Sequence, residues 1–327
     1  MESQEREYPI EDNEACDSSS SVESSEDESE VEGEFEITHS RPEDAHRLPK
    51  FKLQGRFTVD GSSGSIASLA TRPKGGDEIY LTNKNSSAIL ITSLQGNVKM
   101  KLDNDKIPVK DIAVDDNGHV VVVNASSHEI QIYDREGNLF NSFKHSSGDS
   151  EGADLETGLE MTCVDIDRNR KIAIGCCVGE KGMVIIYEMD GEFKRSIRFN
   201  IKPVYISSRF LLIAASDPKN RAVEVRHNDK TGELIRTLQM TDLGPGIEPC
   251  GILLTWDHLF VVTKATNNQN KSIDETKDKG AVQLFDTNSM AYLGVVISGL
   301  DNPRQIDVTH DDTLVITDGR EIKLFKK

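Results

Sequence analysis

Long hydrophobic runs are missing from this chain of 327 residues. Its longest apolar stretches, such as 210–215 and 291–297, are strand-length, whereas a membrane-spanning helix takes about 20 residues. The N-terminus has no charged-then-apolar leader, so an unsecreted, cytoplasmic protein without a membrane partner is expected. Cysteine is scarce. The five present are an odd number and form no C-x-x-C pair, which argues against a disulfide framework or a cysteine zinc site and fits a reducing compartment. The neighbours Cys176 and Cys177 are expected on opposite faces of one strand, as small core residues. The eight histidines show no H-x-x-x-H or H-E-x-x-H spacing, and neither a P-loop nor G-x-S-x-G occurs. Asp165-Ile166-Asp167-Arg168-Asn169 has the acid spacing of a calcium loop. Arg170, however, stands where that loop needs glycine and Cys176 where it needs the closing glutamate, so the segment reads as a turn. No catalytic residue, metal or cofactor is expected.

What is present is unevenly distributed. Of the formal charge of −18, a net −15 falls in residues 1–46, which hold 17 Asp/Glu against 2 Arg. With almost no apolar residues and a serine–acid run from Ser18 to Glu36, this segment cannot bury enough surface to offset its chain entropy. Residues 1–48 are therefore expected to be a disordered acidic tail. Ser20, Ser24, Ser25 and Ser29 each have an acidic residue three places on, the preference of acidophilic kinases. Residues 49–327 are expected to form one domain.

Within that domain a pattern recurs. Ile112-Ala113-Val114 reads as a strand, Asp115-Asp116-Asn117-Gly118 as a tight turn, and residues 119–123 as the returning strand. Glu129-Ile130-Gln131-Ile132-Tyr133 alternates as a third strand and turns through Arg135-Glu136-Gly137-Asn138 into a fourth. First-strand signals recur at Ile66, Ile112, Val164, Ile206, Ile252 and Ile306. Third-strand signals recur at Ile89, Ile132, Ile186, Val223, Leu284 and Leu324. A repeat of forty-odd residues is the period of propeller blades. The last copy ends one strand short, while residues 50–60 form an orphan strand ahead of the first copy. The orphan is expected to complete the last blade and so close the ring without a free edge. The fold expected is all-β: a six-bladed propeller preceded by the acidic tail. Residues 146–158 and 266–280 exceed the repeat and read as loops.

The segment I-A-V-D-x-x-G-x-V-x-V-x-N followed by H-x-I-Q-I-Y-D-x-x-G-N, with P-C-G-I and N-P-R-Q-I ahead of blades 5 and 6, resembles NHL repeats. The single Trp-Asp pair, Trp256-Asp257, falls in a hairpin turn and does not fit a WD repeat. The resemblance extends to the C-terminal propellers of tripartite-motif ubiquitin ligases, which bind proteins or single-stranded RNA. It implies a non-enzymatic protein-interaction module, a substrate-recognition or scaffold part of a ubiquitin-ligase assembly. Because the chain has no RING or B-box spacing, ligase chemistry would come from another protein. The alternative it implies is single-stranded RNA binding in post-transcriptional regulation.

Antiparallel meanders put the inter-blade loops and the second-to-third-strand loops on one face. That face is expected to carry Lys84, Asn124, His128, Lys110, Lys202, Lys219, Arg221, Arg304 and Arg320, a basic surface for a protein partner or for phosphates. Few aromatics accompany it, and an acidic tail within reach would compete with RNA. A monomer that binds protein first and RNA second is the expectation.

Overall fold

Four consecutive valines, 120–123, show how the chain builds its core. In a strand they point alternately to the two faces of a sheet. Val120 and Val122 join a cluster with Tyr80, Ile89 and Leu102, while Val121 and Val123 join another with Ile172, Ile174 and Ile185. Apolar on both faces, such a strand needs a sheet on either side. Each fully buried valine contributes about 1.5–3 kcal/mol.

The computed structural model describes residues 48–59, 65–74, 76–84, 86–103, 108–124, 128–145, 159–209, 211–266 and 279–327. These form six four-stranded antiparallel sheets. Blades 1 to 5 are meanders whose first strands are Ile66–Thr71, Val109–Val114, Leu159–Ile166, Tyr205–Arg209 and Ile247–Leu254. Blade 6 contains Pro303–Val308, Leu314–Asp318 and Glu321–Lys326, and takes its fourth strand from Lys52–Thr58. Leu53 pairs with Phe325 and Thr58 with Glu321, so the orphan strand closes the ring as its pattern requires. The acidic tail, the entry loop 60–64 and most of the two long loops lie outside the described residues.

Six apolar clusters fill the spaces between consecutive blades, blade 6 meeting blade 1 through Val59, Ile66, Ile79 and Val315. Glycines in the third-to-fourth-strand turns let the blades approach. Gly137 has φ of 88°, and a Cβ there would stand 2.4 Å from Leu102 Cδ2 on blade 1. Gly96, Gly191 and Gly232 lie in the same way beneath Phe57, Phe143 and Ile197 of the preceding blades. No helix among the described residues is long and apolar enough to cross a membrane.

Candidate functional site

The meander places two kinds of loop on each face. The strand ends that lead into the inter-blade and second-to-third-strand connections share one face, and the other hairpin turns, two in each of blades 1 to 5 and one in blade 6, share the other. On the first face, Lys110 and Lys202 both approach Glu160, at 3.3 and 3.9 Å. Lys219 pairs with Glu180 at 3.4 Å and Arg221 with Glu248 at 3.9 Å. Asn124 is buried, its amide donating to Gln131 Oε1 at 3.0 Å, and His128 is exposed. Lys84, Arg304 and Arg320 have no carboxylate within ion-pair distance among the described residues. Four of the seven cations thus meet three glutamates on neighbouring blades, and pairs this exposed contribute only about 0–1 kcal/mol each.

A cavity of about 200 Å³ lies on the axis, lined by the innermost strands and the first hairpin turns, and none of those nine residues lines it. The innermost strands are fastened to one another by side chains. Ser68 Oγ accepts the Ile112 N–H at 3.1 Å, Asp111 Oδ2 the Val164 N–H at 2.9 Å, and Asp165 Oδ2 the Ser208 N–H at 2.6 Å. Ser207 Oγ accepts the Leu254 N–H at 3.0 Å, and Asp307 Oδ2 the Thr71 N–H at 2.6 Å. Blade 5 meets blade 6 by close backbone approach, since a Cβ on Gly251 would lie 2.5 Å from the Arg304 carbonyl oxygen. The carboxylates on the cavity wall therefore have a structural task.

Burial nevertheless makes their charge costly. It pushes the Asp165 carboxyl up to about 8, against the hydrogen bond from Ser208 and with help from nearby Asp307. Asp111 and Asp307 are pushed up to about 6 by the same desolvation, although both accept several hydrogen bonds. Arg209 is lowered, first by burial and then by the like charge of Arg168. Among the described residues, no three His, Cys, Asp or Glu side chains are grouped so as to hold a metal ion.

At the cavity mouth the chemistry changes. Arg168, in the first turn of blade 3, reaches across to Trp256 in the first turn of blade 5, its guanidinium 5.7 Å from the ring centroid. Leu211, in the turn between them, is 72% exposed and Trp256 61%. The other exposed large apolar side chains among the described residues lie on the outermost strands, away from the axis. Leu53, Val98, Leu139, Phe140, Leu234 and Tyr292 stand within two residues of the start of a fourth strand, on the turn side of their blades, with Val295 further along.

No protein-family model matches the chain, and no curated protein matches it in sequence. A solved streptogramin B lyase is similar in fold. The two share 12% identity at a TM-score of 0.53, over 84% of this chain and 97% of that one. At that identity the likeness shows the propeller and nothing of its chemistry. Sequence reading missed the mouth because Arg168 and Trp256 are 88 positions apart and meet only when blades 3 and 5 are set round a common axis. The sole available signal was a tryptophan in a turn, where burial cannot account for it.

Proposed function

We propose that the protein is a non-enzymatic, monomeric recognition module of the cytoplasm that docks a partner protein on the turn face around the cavity mouth. The observation that carries this reading is the exposure of large apolar side chains on the turn side, with Leu211 and Trp256 beside Arg168 in the first turns and six more at the starts of the outer fourth strands. Protein interfaces are rich in tryptophan and arginine and poor in lysine, and buried aromatic anchors dominate their energetics. Presentation of that partner to a ubiquitin ligase on another chain is what the repeat resemblance adds. Single-stranded RNA is the second reading, and Lys84, Arg304 and Arg320 on the opposite face favour it. The glutamates beside Lys110, Lys202, Lys219 and Arg221 weigh against it.

Paired variants separate the faces. Leu211→Glu with Trp256→Ala should abolish capture of specific partners, detected by affinity purification and mass spectrometry, and leave the thermal melt unchanged. Lys110→Glu with Arg304→Glu should keep it. The opposite result moves docking to the basic face, and sequence-selective binding of single-stranded oligonucleotides lost in the second pair makes RNA the ligand.

A further inference from the structure

We propose that the axial cavity receives a primary ammonium group on a narrow aliphatic stem, the side chain of a lysine on the docked partner. This rests on the reading that a partner covers the turn face. Volume sets the size of the occupant: at about 200 Å³ the cavity falls below the roughly 300–1,000 Å³ of small-molecule pockets and suits one inserted side chain.

Charge sets its sign. Seven aspartates line the cavity against three arginines. Arg170 is already paired with Asp115 at 3.0 Å, and Asp116 with Lys74 at 2.7 Å. Arg168 lies over Trp256 at the rim. That leaves Asp111, Asp165 and Asp307 on the inner wall and Asp167, Asp312 and His310 in the first turns, with the charge of Arg168 at the rim and Arg209 as the cation that acts on Asp165 and Asp307. Gln305 adds an independent mark. Its Nε2 donates to Asp111 Oδ1 at 3.3 Å, while its buried Oε1 has no hydrogen-bond partner among the described residues. A buried acceptor of this kind calls for a donor, and an ammonium has three. Buried Arg209 Nε also lacks a partner, which makes an anion the competing occupant. Outside the wall, Trp256 and Leu211 offer apolar surface to the aliphatic stem.

A cation seated here would draw protons off the wall carboxyls, because a positive neighbour favours their ionised form. Binding should therefore release protons and strengthen as pH rises.

Trp256 is the only tryptophan of the chain, so its fluorescence reports the mouth alone. The full-length protein is titrated with n-butylammonium, n-butanol, butyrate and a capped Gly-Lys-Gly peptide, with calorimetry in two buffers to count protons. Butylammonium and the peptide should compete for one site, bind about tenfold more tightly at pH 8.5 than at pH 6, and release protons. Butanol should not bind. Asp165→Asn combined with Asp307→Asn should weaken both by about tenfold or more, with the melt at pH 5 confirming an intact fold. Binding of butyrate in place of butylammonium, absence of binding, or a free amine that the peptide fails to displace would overturn the proposal. Loss of partner capture in Leu211→Glu with no ammonium binding leaves turn-face docking standing and removes this inference alone.

Discussion

Asp165 fastens blade 3 to blade 4 through the Ser208 N–H, yet it does so more cheaply as an acid than as an anion. Its carboxyl is raised from 3.8 to about 8. Between those values the folded chain holds a proton that the unfolded chain has lost, so stability falls as pH rises through this window and then levels off. Asp111 and Asp307, raised to about 6, add to the same slope at its lower end. Asp165→Asn keeps an oxygen for Ser208 and removes the charge. Its melting temperature should match the parent near pH 4 and exceed it by several degrees near pH 8, at about 2–4 °C per kcal/mol. Calorimetry across this range checks the sign, and a variant less stable at pH 8 would show that the anion is favoured there. Spacing places Asp165 at the mouth of a turn resembling a calcium loop. That it stands on the axial wall depends on blade 4 lying beside it.

At the scale of the element, blades 1 to 5 are each two hairpins, and turns of both kinds touch a neighbouring blade. The glycine of the second turn is legible as a turn residue because it needs positive φ. Its second role, making room for the outer strand of the blade before, is not, since Gly137 and Leu102 belong to different repeats. Gly137→Ala should destabilise by more than about 1 kcal/mol, from the φ of 88° and the approach to Leu102 together. Gly179→Ala is the control: it shares a positive φ, at 59°, but has nothing within 4 Å of the added methyl. Denaturant midpoints compare them, and equal losses would mean that only the dihedral matters. The first turns behave likewise. Arg170 takes the left-handed φ of 62° where blade 2 has Gly118, and its side chain crosses to Asp115 at 3.0 Å. A position that reads as a failed calcium loop is thus an inter-blade tie.

For the whole molecule, closure is the decisive event. Removing residues 1–58 would strip the fourth strand from blade 6 and leave the edge of Glu321–Lys326 unpaired, an open template for another chain. The truncated protein should melt lower and form oligomers by light scattering, while removal of residues 1–46 should change neither. A monomer of unchanged stability after the longer deletion would show that closure contributes little. The number of blades, their strand order and the closing strand were all determined by the sequence itself, because alternation, turn glycines and repeat length are local properties that each strand carries with it. Which face presents apolar surface, which lysines are neutralised and which carboxylates meet on the axis were decided only by the tertiary structure. The pairs concerned, Lys110 with Glu160, Asp307 with Thr71 and Arg168 with Trp256, lie from 50 to 236 positions apart. Ring geometry brings them together, and no pattern within one repeat encodes the rotation from one blade to the next.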